Sequence, residues 1–258
     1  MKVLIGDIGN TLTKICLIDI NTLKLTEIIY FESNKILFKN FLKVKLNKLI
    51  RKNYVNKMAL FSSVVPIYKF KLKSVLNKFY KIKLKELKDK NIKKIIKINI
   101  KNKNQVGSDR IANAVGAYKK YKTNCIVLDF GTATTFDVVT KDGIYNGGII
   151  APGVNLSIKS LTKSANQIPV FSLKSQKKII GKNTVEALRS GFYWGYAGLI
   201  NNIIFKIENE TKKKYKIIFT GGYANLFKNS INRSFIVDKN ITIKGIVEIF
   251  KINRKQLS

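Results

Sequence analysis

Ile126-Val127-Leu128-Asp129-Phe130-Gly131-Thr132-Ala133-Thr134-Thr135 is an apolar run that ends in an acid, a glycine and a cluster of hydroxyls. Such a run reads as a buried strand delivering a carboxylate into a tight turn. Glycine lets the backbone approach a ligand closely, and the N–H and O–H groups of the turn can hold phosphate oxygens. The same design opens the chain, where Val3-Leu4-Ile5 leads into Asp7-Ile8-Gly9-Asn10-Thr11, 122 residues earlier. Two such segments predict two halves that close on one nucleotide, which points to phosphoryl transfer.

The sequence around each segment extends the repeat. Val3–Asp7, Lys14–Ile20 and Lys24–Phe31 read as strands, and Ser33 begins a helical pattern through Ile36, Leu37, Phe41, Leu49 and Ile50. A strand at Met58–Val65 stops at Pro66, and a lysine-rich helix follows through Leu72, Val75, Leu76 and Phe79. The second half opens alike, with strands at Ile126–Asp129, Thr134–Thr140 and Gly143–Ile150 and a turn at Lys141-Asp142-Gly143. A helix is expected after Pro152-Gly153 and a long one from Asn183, with Glu186 in capping-box position. A strand at Ile217–Thr220 should end in Gly221-Gly222, followed by a helix, a strand near Phe235–Val237 and a final helix from Thr242. Strands and helices alternating in this way twice over predict an α/β duplication, with lobes 1–116 and 117–258 and a nucleotide cleft between them.

Composition bounds the function. At 258 residues, 45% apolar and 25% charged, the chain can bury a real core and is not disordered. No apolar run approaches the roughly 20 residues that cross a bilayer, and the first residues are too short and too acidic for a signal peptide. Cys16 and Cys125 without any histidine argue for buried thiols in a reduced, cytoplasmic setting. The net charge of +34 invites a nucleic-acid reading. Lysine, however, supplies 44 of the 49 basic residues and asparagine is abundant at 26, as an AT-biased genome would write. Arginine, the forked phosphate and base reader, is scarce, so no specific nucleic-acid partner is expected, and without a spanning run no membrane partner is expected either.

Four of the eight aspartates stand at 7, 109, 129 and 137. Asp7 to Lys14 combines a carboxylate, a glycine, an amide, two hydroxyls and a lysine, a cradle for β/γ-phosphates with Asp7 on magnesium through water. An ordinary hairpin is the plainer reading of Gly9-Asn10. Gly107-Ser108-Asp109-Arg110 precedes a helix pattern through Tyr121, with Ser108 as its expected N-cap. Asp109 then suits the helix dipole and, beside Arg110, also makes a proton acceptor next to an anion clamp. Dipole and arginine should both keep it ionised, and a base that weak works if it receives the proton late. For Asp129 a cation or nucleotide role is expected, and for Asp137 either a site role or a strand residue facing a basic side chain. On the long helix Gly191, Gly195 and Gly198 share one face, so close packing of a second helix or subunit is expected there.

In order along the chain these segments resemble type III pantothenate kinases. The pieces are Asp7-Ile8-Gly9-Asn10-Thr11, Gly107-Ser108-Asp109-Arg110-Ile111-Ala112-Asn113 and Asp129-Phe130-Gly131-Thr132-Ala133-Thr134-Thr135-Phe136-Asp137. Gly147-Gly148-Ile149-Ile150-Ala151-Pro152-Gly153, Gly181-Lys182-Asn183-Thr184 with Ser190-Gly191, and Thr220-Gly221-Gly222 complete them. The resemblance implies a duplicated ribonuclease H-like, actin-like ATPase fold and a homodimer with pantothenate pockets at the subunit interface. It implies phosphorylation of pantothenate to 4'-phosphopantothenate by ATP, the first step of coenzyme A synthesis, with magnesium and a monovalent cation, potassium or ammonium. It casts Asp109 as the base, and Gly107, Ser108, Asp109, Arg110 and Thr184 as pantothenate contacts. Asp7, Ile8, Gly9, Asn10, Thr11, Leu12, Thr13, Lys14 and Thr132 become the ATP site, and Asp129 the potassium ligand. One departure is visible: the family's aromatic and Asn-Pro pair before the Gly-x-Asp-Arg segment is replaced by Ile98-Asn99-Ile100-Lys101-Asn102-Lys103-Asn104-Gln105. Two other readings fit parts of the pattern. One is an actin-like kinase or phosphatase with a different acceptor, the other a non-catalytic nucleic-acid-binding or regulatory factor on the same fold.

Overall fold

A computed structural model describes residues 1–89, 91–165 and 167–254. The chain divides into two compact units. Unit 1 holds Met1–Tyr121, Gly143–Tyr145 and the chain from Asn240 on, and unit 2 holds Lys122–Asp142 and Asn146–Lys239. The division falls at the end of the helix Ser108–Tyr121, rather than inside it at 116, and the C-terminal helix belongs with unit 1.

Unit 1 is built on strands β1 (Lys2–Ile8), β2 (Leu12–Asp19), β3 (Leu25–Glu32), β4 (Val55–Ser63) and β5 (Lys83–Glu86), ordered β3-β2-β1-β4-β5. β1 runs antiparallel to β2 and parallel to β4. Helices α1 (Lys39–Ile50) and α2 (Pro66–Tyr80) cover one face. Leu42, Leu46 and Leu49 of α1 and Leu72, Val75 and Leu76 of α2 bury against Leu4, Ile8, Ile15, Leu17 and Phe61 of the sheet. Burying each such side chain is worth roughly 1.5–3 kcal/mol, so this alternation fixes the strand register. Pro66 takes the first turn of α2, where its missing N–H costs nothing. The helix expected from Ser33 is instead a 3₁₀ turn, Ser33–Leu37, separated from α1 by the extended Phe38.

β1 and β4 also touch α6 (Ile241–Asn253), and β4 touches α3 (Ser108–Tyr121). α3 and α6 cross at Gly116 and Gly245, where an added Cβ would strike the carbonyls of Ile241 and Ala112. Thr242 donates to Asn113 Oδ1 across this crossing at 2.7 Å. A short strand β6 (Lys97–Ile98) pairs parallel with Ile144–Tyr145.

Unit 2 repeats the design with β7 (Cys125–Phe130), β8 (Ala133–Val139), β9 (Ile144–Pro152), β10 (Lys216–Gly221) and β11 (Phe235–Val237), ordered β11-β10-β7-β8-β9. β7 is antiparallel to β8 and parallel to β10, as β1 is to β2 and β4. The two units therefore share one strand order, the duplicated ribonuclease H-like arrangement. α4 (Val154–Ser164) and the 28-residue α5 (Thr184–Thr211) contribute Val154, Ile158, Tyr193, Ile200 and Ile204 to the core with Ile126, Leu128, Phe130 and Phe136. Asn183 caps α5 by accepting the Glu186 N–H at 2.9 Å, and Glu186 returns to the Lys182 N–H at 2.8 Å. The helix expected after Gly221-Gly222 is a run of turns closed by Leu226 N–H to Tyr223 and Ser230 N–H to Phe227 carbonyls. Cys16 and Cys125 are buried, and burial pushes both thiols up to about 12, which leaves them unreactive at neutral pH. Among the described residues no helix is long and apolar enough to cross a membrane.

Candidate active site

In unit 1, β1 delivers Asp7 one residue before its end, beside Lys14 on β2 and Ser62 on β4. The turn closes through the Gly9 N–H to the Leu12 carbonyl at 3.2 Å, leaving Asn10, Thr11 and Leu12 exposed. Ile8 is wholly buried in the core, and Thr13 spends its hydroxyl on Ser33 at 2.8 Å. The side chains that this stretch offers a ligand are therefore Asp7, Asn10, Thr11 and Lys14, and Ile8 and Thr13 hold the turn in place.

The second element of unit 1 is the start of α3. Gly107, not Ser108, takes the capping place, since its carbonyl accepts the Ile111 N–H at 3.1 Å. Ser108 is fully buried and fastens the helix to the end of β4. Its hydroxyl lies 2.9 Å from both the Ser63 N–H and the Ser63 carbonyl and 3.0 Å from Ser62 Oγ. What Ser108 can offer a ligand is its main chain. Asp109 follows, half-buried, with Oδ1 accepting the Arg110 N–H at 2.8 Å. Its carboxylate fills the space where a Gly107 side chain would stand, a local reason for glycine there. Burial pushes the Asp109 carboxyl above the usual carboxylate range, and the Arg110 N–H and guanidinium only partly offset it. The dipole and arginine thus do not settle its ionisation alone: desolvation wins, and the result is a stronger base.

In unit 2, Asp129 sits at the same point of β7 that Asp7 holds on β1. Thr135 faces it across the antiparallel ladder and Thr220 across the parallel one. Three backbone segments converge beside it. Gly131 donates to the Ala133 carbonyl, Gly153 to the Thr132 carbonyl and Gly222 to the Phe130 carbonyl, each at 3.1 Å. Gly221 has φ +85°, and a Cβ there would lie 2.6 Å from the Phe130 backbone and 2.7 Å from Asp129 Oδ1. Gly153 would strike the Thr132 carbonyl. The sequence places Pro152-Gly153 ahead of a helix and Gly221-Gly222 at a strand end; their convergence on Asp129 is a long-range feature. Thr132 is exposed, Asp137 is wholly buried two residues beyond Thr135 on β8, and Thr184 opens α5 in solvent.

Thr184 also lines an apolar groove of about 660 Å³ between α4 and α5, with Pro152, Leu161, Leu188, Phe192 and Leu199. Gly191, Gly195 and Gly198 are exposed on α5, and a Cβ on any of them would meet nothing within 4 Å. No described segment of this chain supplies the close packing expected against them. Before α3, residues 98–105 form the end of β6 and a 3₁₀ turn at Lys103–Gln105, which Lys88 ties down by donating to the Asn104 carbonyl at 3.0 Å.

The pattern that defines type III pantothenate kinases matches residues 3–206. The chain belongs to this family. It is 48% identical over 245 residues to the type III pantothenate kinase of Pelagibacter ubique, covering 95% of this chain and 97% of that one. Against the enzyme of Paramagnetospirillum magneticum it is 39% identical over 195 residues, 76% and 75% of the two chains. Among solved structures, the ethanolamine utilization protein EutJ from Carboxydothermus hydrogenoformans superposes with a TM-score of 0.59 at 15% identity, covering 96% of this chain and 89% of that one. At that identity the likeness speaks for the fold alone, and it places the kinase in an actin-like ATPase architecture.

Proposed function

We propose that this kinase transfers the γ-phosphoryl group of ATP to the primary hydroxyl of pantothenate, giving 4'-phosphopantothenate for coenzyme A synthesis. The observation that carries the reading is the start of α3. A carboxylate made more basic by burial stands there beside Arg110, within the residues that match the family's pattern. Asp109 accepts the hydroxyl proton as the new P–O bond forms, and Arg110 with the first N–H groups of α3 holds the pantothenate carboxylate. In a loose transition state the proton moves late, so a carboxylate base suffices.

The ATP phosphates fall to Asp7, Gly9, Asn10, Thr11, Lys14 and Thr132, with Asp7 on magnesium through water. Among the described residues no three acidic or thiol side chains cluster to cage a metal. One carboxylate together with nucleotide phosphates and waters is the usual magnesium arrangement, so the residues fit. Asp129, with Thr135 and Thr220 beside it, offers the all-oxygen donor set that suits a monovalent cation such as potassium. A cation held there would supply positive charge to a bound nucleotide.

The kinase acts as a homodimer in this reading. The open glycine face of α5 and the groove that Thr184 lines support a second copy docking there and bringing Thr184 to a pantothenate pocket. A cytoplasmic location is part of the same proposal.

A coupled assay of ATP consumption with pantothenate as acceptor tests the function. Wild type should turn over only with pantothenate present, and Asp109→Asn should lose about 10²–10⁴-fold in kcat. Undiminished turnover in Asp109→Asn would remove Asp109 from the chemistry. The acid limb of kcat/KM should lie above the ordinary carboxylate pKa of about 4, and Arg110→Ala should move it higher still.

A further inference from the structure

The positive charge is not spread evenly. Residues 33–103 carry 22 basic side chains against 2 acidic ones, while the remaining 187 residues carry 27 against 13. A genome-wide preference for lysine codons would load both regions alike. A net +20 on 71 residues against +14 on 187 is an uneven distribution, and eight of those lysines lie on α1 and α2. Neither α1 nor α2 contains an acid; α1 carries Lys39, Lys43, Lys45 and Lys48, and α2 carries Lys69, Lys71, Lys73 and Lys78. Because both helices bury one face in the same core, their other faces look outward on the same side of the sheet.

Apolar side chains stand among these lysines without cover. Phe38 is 64% exposed, Val44 57%, Ile67 61% and Phe70 62%, and Leu37 is exposed beside them. The ammonium heads of Lys39 and Lys43 stand over the Phe79 ring, 5.0 and 4.4 Å from its centroid, while the Lys69 head pairs with Glu86. Basic and apolar side chains thus share this surface, and long lysine side chains beside exposed apolar groups suit an interface between oil and charge.

We infer that the outer face of α1 and α2 docks on an anionic lipid surface. Lysine heads meet acidic headgroups while Phe38, Val44, Ile67 and Phe70 enter the acyl boundary. Nucleic acid is the rival polyanion: Phe38 and Phe70 can stack on bases, but Val44 and Ile67 have neither a stacking nor a hydrogen-bonding use on it. The span also holds one arginine, Arg51, for phosphate forks. The inference is independent of the acceptor that the kinase phosphorylates.

Sedimentation of the full chain with vesicles tests it. One set is phosphatidylcholine alone and the other contains about 40 mol% phosphatidylglycerol, at roughly 0.15 M salt. The protein should partition onto the anionic vesicles at least about tenfold more than onto neutral ones. Reversing Lys48, Lys73 and Lys78 to glutamate should cut that binding at least about tenfold. The equally charged reversal of Lys206, Lys213 and Lys228 in unit 2 should leave it within about threefold. Ile67→Ser with Phe70→Ser should weaken it about tenfold through lost acyl contact. Circular dichroism melts confirm that each variant folds. No preference for anionic vesicles, equal losses from the two lysine sets, or full binding by the serine variant would overturn the inference. So would oligonucleotide binding lost in the α1–α2 lysine variant while vesicles are ignored.

Discussion

The turn after β1 and the turn after β7 begin alike, with an aspartate near the end of a buried strand and a glycine two residues on, and they finish differently. Around Asp7 the turn stands open, with Asn10 and Thr11 in solvent and Lys14 alongside. Around Asp129 three backbone segments close in, held by Gly131, Gly153 and Gly222 N–H groups on neighbouring carbonyls. In the proposed reading a duplicated design has specialised. The first copy presents amide, hydroxyl and ammonium donors suited to anionic phosphates, and the second presents oxygen atoms suited to a cation.

The largest effect that sharpens this contrast is steric. Gly221→Val should unfold or severely destabilise unit 2, by about 3 kcal/mol or more, because a side chain at φ +85° would also sit in the Phe130 backbone. Gly9→Ala, whose Cβ would meet only the Leu12 carbonyl at 3.0 Å, should cost about 1 kcal/mol or less. Chemical denaturation of both variants reads the difference, and equal losses would dissolve the contrast.

Next in size is chemistry. Asp7→Asn should lower kcat at any potassium concentration, whereas Asp129→Asn should mainly raise the potassium needed for half-maximal rate, by roughly 10–100-fold. Titrating each variant with magnesium and with potassium separates the two roles. Identical cation profiles would show that the turns had not diverged in function.

Much of this was legible because local pattern and burial coincide. The apolar runs that end in Asp7 and Asp129 are strands at those positions, and Asn183 with Glu186 starts α5 as its capping chemistry demands. β5 stayed hidden because Lys83-Leu84-Lys85-Glu86 buries a single leucine, too little alternation to register. The turns after Gly222 mimic a helix in periodicity, yet their asparagine and serine residues favour local bonds. Asp109 shows a different limit. Its dipole and its arginine are visible in sequence, but the burial that outweighs them depends on packing that no local stretch reveals.

A smaller effect concerns stability at the base itself. With its carboxyl shifted upward, ionised Asp109 costs the fold stability as pH rises through that shifted value. Asp109→Asn should therefore melt higher than wild type at pH 8, with the gain shrinking toward pH 4, while activity is lost. A lower melting temperature at pH 8 would deny the desolvation.

The smallest expected effect lies on α5. Gly195→Ala should stabilise the isolated helix by about 1 kcal/mol, since its methyl group meets nothing in the chain. If the proposed homodimer packs on this face, light scattering should nevertheless show it weakened, because a partner docked there needs that close approach. An unchanged dimer would place the interface elsewhere.

The most direct test of the divided roles is a crystal of the kinase grown with a non-hydrolysable ATP analogue, manganese for magnesium and thallium for potassium. Anomalous maps should place manganese on the Asp7 side of the phosphates and thallium within coordinating distance of Asp129. Thallium at Asp7, or no cation at all near Asp129, would contradict the account.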